Sequence, residues 1–230
     1  MKNFGAGTGI ALTATITAST LCLTGPTPAH ASPGTPAPTA SPRSTPVATA
    51  TPKGLLTPVK YQLSLKGQRQ STNYYCVPAS SSMSLSSFGI KVSQSTLAKK
   101  MKTTSSGGTK GANAVPVLNA YVKSKGYKYT IPTDADGNAL VLMKRVSEDI
   151  GDLHRAPVIA VYMEQLPWNK GKVKGTEVGH AIIAYGYNKL TGTITVYDPW
   201  KPTGGSHTIA AATLANTLQP GGNMYDISKL

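Results

Sequence analysis

The chain has 230 residues, 23 basic and 9 acidic side chains, a formal charge of +14 and two cysteines. So few cysteines exclude a disulfide-built scaffold. The charge favours anionic surroundings such as wall polymers, acidic peptides or nucleic acid, yet no basic-aromatic pattern of a nucleic-acid module accompanies it.

An apolar, threonine-rich stretch from Phe4 to Leu23 follows Lys2, and Ala29-His30-Ala31 forms a small-x-small site before Ser32. This is the pattern of a secretory signal peptide, residues 1–31, cleaved after Ala31. Its Gly and Thr content leaves no run of about 20 strongly apolar residues, so no membrane span is predicted. Leu21 stands before Cys22 where a lipidated cysteine calls for a small residue. Cleavage removes Lys2 and no acid, lowers the formal charge from +14 to +13, and leaves Cys76 alone. One thiol with scattered histidines has no zinc-ligand spacing. In an exported chain a lone thiol is either a buried, inert hydrophobe or has a chemical job.

Residues 32–57 are Pro, Thr, Ala and Ser with two basic residues and no apolar period. Such a stretch buries too little surface to offset chain entropy and is predicted to be a disordered spacer. Residues 58–230 are long enough for one domain with its own core. In chain order, Val59 to Leu65 alternates as a strand does. Val77 to Phe88 reads as a helix with Pro78 in its first turn and Gly89 as terminator. Ser93 is an N-cap for a short helix ending near Met101. A Gly/Ser/Thr loop from Thr103 to Gly111 precedes a helix from Asn113 to Lys125, which Gly126 closes. Tyr127 to Ile131 is a strand, Asp134 to Asn138 a turn rather than a calcium loop, and Asn138 to Leu153 a helix. Strands follow at Pro157–Met163, Val178–Tyr187 and Thr193–Val196, with a polar, basic loop from Glu164 to Glu177 between the first two, solvated over Lys170–Gly175. A short strand near Thr208, a helix over Ala212–Leu218 and a tail end the chain. Helices first and an antiparallel sheet afterwards predict an α+β fold with a cleft between the halves.

Cys76 stands at a helix N-terminus, where the positive end of the macrodipole lowers a thiol pKa. A thiol nucleophile needs a base, and the base an orienter. His180 opens the apolar run Gly-His-Ala-Ile-Ile-Ala-Tyr-Gly-Tyr, a rigid position whose ring can face a cleft. If Tyr187 pairs with Thr193, paired positions sum to 380 and Asp198 faces Ile182; a register summing to 378 sets Asp198 opposite His180. In both, His180 and Asp198 share one face, as diagonal or direct neighbours. His154, beside Arg155 after a helical segment, and His207, after Gly204-Gly205 without a well-spaced acid, are weaker candidates. The backbone N–H of Cys76 offers half an oxyanion hole, and Gln70, six residues upstream, can offer the other donor, with Gln68 a close competitor.

Gln70…Tyr75-Cys76-x-Pro78-Ala79-Ser80…Met83, Gly179-His180-Ala181…Tyr185-Gly186-Tyr187 and Tyr197-Asp198-Pro199-Trp200 resemble the C39-like cysteine peptidases of the papain-like superfamily. The resemblance runs from Val59 to beyond Trp200. It implies a papain-like fold with Cys76 as nucleophile, His180 as general base, Asp198 as its orienter and Gln70 as oxyanion donor. One position departs: the family commonly has Gly directly after the cysteine, where this chain has Val77. The expectation is a secreted hydrolase, which its charge can hold at the cell wall, that cleaves a peptide or isopeptide amide through an acyl-enzyme. A non-catalytic envelope or peptide-binding module on the same scaffold, and a cell-wall peptide amidase, remain open alternatives. The expected partners are a peptide or protein substrate and, loosely, an anionic envelope. No cofactor, metal, nucleic acid or membrane span is expected, and the chain is expected to be a monomer.

Overall fold

Helix α1 (Cys76–Ser86) is buried without interruption from Val77 to Leu85, including Ser80, Ser81, Ser82 and Ser84. These coordinates are a computed structural model that describes residues 57–221 and 223–230; the predicted signal peptide and all of the predicted spacer except Thr57 lie outside the described residues. Serine is a weaker helix former than alanine by roughly half a kcal/mol per residue. The hydroxyls offset this by serving neighbours that have no other donor. Ser80 donates to the Ala181 carbonyl (3.0 Å), Ser82 to Val92 (2.7 Å) and Ser84 to Ala156 (2.5 Å), while Ser84 also bonds the Tyr129 hydroxyl (2.8 Å). Small polar side chains thus let sheet and loops close on the helix from all sides.

The sheet is antiparallel throughout, with strands in the order β2 (Tyr127–Thr130), β7 (Met224–Lys229), β3 (Val158–Tyr162), β4 (Gly179–Asn188), β5 (Thr193–Asp198), β6 (Gly205–Ala210); β1 (Lys60–Gln62) pairs with the far end of β4. Alternate residues of β3 and β4 feed two cores. Val158 and Ala181 pack with residues of α1, α2 (Gln94–Lys100) and α3 (Gly111–Val122). Ile159, Val161, Ile182 and Ala184 pack with residues of α4 (Ala139–Ser147) and α5 (Ala211–Ala215). The α+β class and the papain-like fold predicted for the chain are what it adopts.

Ser93 is the N-cap that the sequence places there, accepting from the Thr96 N–H (3.1 Å), and Asn138, expected as the first helical residue, caps its helix by accepting from the Val141 N–H (3.1 Å). Gly89 and Gly126 close their helices with φ of 74° and 80°. Three boundaries differ. The strand expected over Val59–Leu65 pairs only at Lys60–Gln62, because the chain then leaves the sheet and Leu63 and Leu65 pack beside Met83 and Ile183. The tail beyond Leu218 contains β7, whose Tyr225 and Ile227 are buried where it joins β2 to β3. The helix expected up to Leu153 changes after Ser147 to a π-helical turn, Glu148–Asp152, which turns Asp149 inward to accept the Ile227 N–H (3.3 Å).

Replacing Ser84 by Ala leaves the Ala156 carbonyl and Tyr129 hydroxyl short of a partner and should cost about 1–3 kcal/mol. Ser86→Ala, at an exposed site on the same helix, should be neutral or slightly stabilising. Urea unfolding of the two variants checks the difference; equal midpoints would refute the role given to the buried serines.

Candidate active site

The thiol of Cys76 is delivered by the start of α1. Its residue is half-buried, the only cysteine among the described residues, and unpaired. Tyr75 at the N-cap makes no side-chain cap, so the first-turn N–H groups of α1 are left to other acceptors. The His180 ring and the backbone N–H groups of Ala181, from β4, and Val77 lie close enough to the thiol to lower its pKa.

His180 and Asp198 meet because of an irregularity in the β4–β5 hairpin. Next to the turn, Asn188 pairs with Thr193 and Tyr187 with Ile194, one step out of the expected register. Continued unchanged, that pairing would set His180 and Asp198 on opposite faces. A bulge between Ala184 and Gly186 absorbs one residue, Tyr185, and beyond it Ala184 pairs with Val196 and Ile183 with Tyr197. That is the register summing to 380, and it makes Asp198 the diagonal neighbour of His180. The Nε2 of His180 lies 2.7 Å from Asp198 Oδ1, with the two residues 4% and 0% exposed.

Asp198 is held by two more donors. The Trp200 backbone N–H reaches Oδ1 (2.8 Å) and the Trp168 indole N–H reaches Oδ2 (2.8 Å). Trp168 comes from the loop after β3 and lies flat on His207, with ring centroids 4.0 Å apart and planes 2° from parallel. His207 is in turn fixed by the Thr203 carbonyl (3.0 Å). Trp168 is the residue that sequence reasoning passed over; an isolated Trp in a polar loop was its one signal. His207 therefore braces the indole, while His154 sits at the end of the π-helical turn against Tyr61 (4.9 Å between rings).

The electrostatics follow from this arrangement. Burial pushes the Cys76 thiol up, but the hydrogen bond and positive charge of His180 and the Ala181 and Val77 N–H groups outweigh it, so its pKa lies below the ordinary thiol value. Burial pulls His180 down, and Asp198 and Cys76 more than reverse that, to about 9. Burial likewise raises Asp198, and His180, Trp168 and the Trp200 N–H hold it low. Each charge thus supports the other: His180 favours the thiolate, and Asp198 and Cys76 favour the imidazolium. Burial and that thiolate keep Tyr225, on the cleft wall, protonated.

Cys76, Val77 and His180 line a cleft of about 560 Å³. One wall is the Gly107–Ala112 segment leading into α3, and the other is Gln219–Gly221 with Tyr225. Val77 is 7% exposed, and its side chain also packs into the helical core. Gln70 does not line the cleft. It is buried, its Nε2 donates to the Thr72 carbonyl (2.8 Å), and its backbone N–H binds Pro199 (2.8 Å). Gln68 instead donates to Ser82 (3.3 Å). Lys170, Lys172 and Lys174 are exposed and lie outside the cleft lining. Among the described residues no group of three His, Cys, Asp or Glu side chains could hold a metal ion, and no helix is long and apolar enough to cross a membrane.

The sequence profile of the Peptidase_C39 like family matches residues 62–221. Three solved structures are similar. The peptidase domain of Streptococcus ComA, a bi-functional ABC transporter involved in a quorum sensing pathway, is 17% identical (TM-score 0.49, 74% of this chain and 99% of that one). A double glycine motif protease from an AMS/PCAT transporter, in complex with its leader peptide, is 14% identical (TM-score 0.50, 74% and 95%). A C39-like peptidase from Bacillus anthracis is 16% identical (TM-score 0.49, 74% and 97%). At these identities the likeness speaks for the fold alone. No curated protein matches the chain.

Alkylation by iodoacetamide should report the ion pair. Cys76 should react at pH values well below the ordinary thiol range, and His180→Ala should move the midpoint of its rate–pH profile upward. An unchanged midpoint would separate His180 from the thiol's ionisation.

Proposed function

We propose that this chain, which belongs to the Peptidase_C39 like family, is an exported cysteine peptidase that cleaves a peptide or isopeptide amide through a thioester acyl-enzyme. The observation that carries this reading is the line from half-buried Cys76 through buried His180 to Asp198 at an open cleft.

The steps follow from the geometry. The Cys76 thiolate attacks the carbonyl carbon, and the imidazolium of His180 gives its proton to the departing amine. Neutral His180 then takes a proton from water, which attacks the thioester and returns the thiol. Asp198, fixed by Trp168 and the Trp200 N–H, keeps Nε2 as donor, so that Nδ1 serves the thiol and the leaving group. Trp168 is a positioning residue in this scheme. The developing oxyanion takes first-turn N–H groups of α1, and the Gln70 amide joins them as side-chain donor by turning from Thr72 toward the cleft that it does not line in the free chain. The predicted signal peptide supports export. The excess positive charge supports loose retention by an anionic envelope, with the chain acting as a monomer on peptide or protein substrates.

A panel of peptides, isopeptides and wall peptides, run with wild type and Cys76→Ala, tests the reaction and separates a peptidase from a wall-peptide amidase. Cys76→Ala should abolish turnover; retained turnover, or none with wild type on any member, overturns the reading. Gln70→Ala should lower kcat about 10²–10³-fold with little change in KM, as the loss of one oxyanion donor does. An unchanged kcat would remove Gln70 from the hole. The pH profile of kcat/KM should fall on the alkaline side near pH 9, where His180 loses its proton. Asp198→Asn, which removes the charge that raises His180, should bring that limb to lower pH.

A further inference from the structure

The positive charge of this protein is divided between two parts of the chain. All nine acidic residues lie at Asp134 or later, where nine basic residues balance them. The whole excess of +14 therefore belongs to the residues before Asp134, and from Pro58 to Thr133 eleven basic side chains meet no acid. That segment builds α1, α2, α3 and β2.

With α1 buried, its neighbours present the charge. Lys99, Lys100 and Lys102 stand exposed at the C-terminal end of α2, and Lys123, Lys125 and Lys128 at the end of α3 and in β2. The two helix ends meet where the Lys100 ammonium lies 5.6 Å from the centre of the Tyr121 ring. None of these lysines is ion-paired among the described residues. The acids nearest to them along the sheet are engaged elsewhere: Asp226, which faces Thr130 across the β2–β7 ladder, and Asp134 both pair with Arg145. Between the helix ends is a shallow depression with an apolar floor of Pro116, Val117 and Ala120, rimmed by Lys100 and Tyr121.

We propose that this helical face binds a linear anionic polymer of phosphodiester-linked polyol or sugar units. Ten of the eleven basic residues between Pro58 and Thr133 are lysine, a hydrated point charge that attracts phosphate without the fixed fork that arginine uses for shaped recognition. The apolar floor accepts the carbon faces of a polyol. Nucleic acid fits less well, because Lys100 already covers Tyr121 and Arg155 covers Tyr127, which leaves bases no free stacking platform. An anionic bilayer also fits less well: the large exposed hydrophobic residues are Val59, Tyr61, Leu140, Leu190 and Leu230, none of them between Lys91 and Thr133. The proposal rests on envelope retention for the origin of the polymer and is independent of the role given to Cys76. Lys110, on the cleft wall, belongs to the same acid-free segment, so a bound polymer would run beside the cleft.

Binding of the purified chain to a poly(glycerol phosphate), read by calorimetry at two salt concentrations, tests it. Three lost phosphate contacts, each worth ~0.7 in the log–log salt slope, predict that a Lys100→Gln/Lys123→Gln/Lys125→Gln variant loses about 20-fold less affinity than wild type between about 50 and 200 mM salt. Lys170→Gln/Lys172→Gln/Lys174→Gln, in the charge-balanced part of the chain, should bind as wild type does. Unchanged thermal midpoints and peptide turnover show that both variants are folded, and turnover also keeps failure of the catalytic reading separate. No binding by wild type, equal weakening in the two triple variants, or tighter binding to a single-stranded oligonucleotide or to phosphatidylglycerol vesicles would overturn the proposal.

Discussion

Everything at the site depends on burying a helix that has little intrinsic reason to form. Helix α1 has five serines among its eleven residues and almost no apolar face of its own. Met83 and Leu85, both fully buried, each contribute about 1.5–3 kcal/mol by leaving water. The serine hydroxyls then satisfy carbonyls of the surrounding chain that would otherwise be stranded in the core, where an unpaired acceptor is costly. The helix is therefore held at fixed depth by specific bonds to β4 and to the segment before β3. Its uncapped N-terminus, with Cys76, emerges at the cleft rather than at bulk solvent.

The second constraint is the bulge at Tyr185. A hairpin that kept the pairing found next to its turn would place His180 and Asp198 on opposite faces. One absorbed residue restores the face and leaves the carboxylate 2.7 Å from the imidazole. Trp168 and the Trp200 N–H complete the coordination of Asp198, so three donors hold a fully buried carboxylate ionised. That charge is what keeps His180 protonated in spite of burial, and protonated His180 is what lowers the thiol. The chain of causes runs from an indole in a loop to the nucleophile, through two side chains that share a sheet face.

Electrostatics also divide the molecule on a larger scale. The helical part is acid-free and its lysines face solvent, whereas the later part holds most of its carboxylates in ion pairs, backbone hydrogen bonds and the site. The cleft lies where the two meet, with Lys110 on one wall and His180 at the base. On the proposed readings, attraction of an anionic partner and chemistry on an amide use different surfaces of the same domain.

By itself the sequence determined the fold class, the cap at Ser93, the glycine terminators, and the candidacy of Cys76 and His180. Each of these rests on local chemistry: periodicity, a side chain that can reach its own helix end, a left-handed φ, or a thiol without a disulfide mate. Asp198 was legible as a same-face neighbour because side chains alternate along a strand. The bulge that makes this true was not, since one extra residue depends on how both strands pack on two cores. Trp168, strand β7 and the inward turn of Asp149 were decided by tertiary structure alone. Their partners lie 30, 65 or more and 78 residues away. A contact over such a distance leaves no local pattern, because its energy is realised only when the remote segments are already in place.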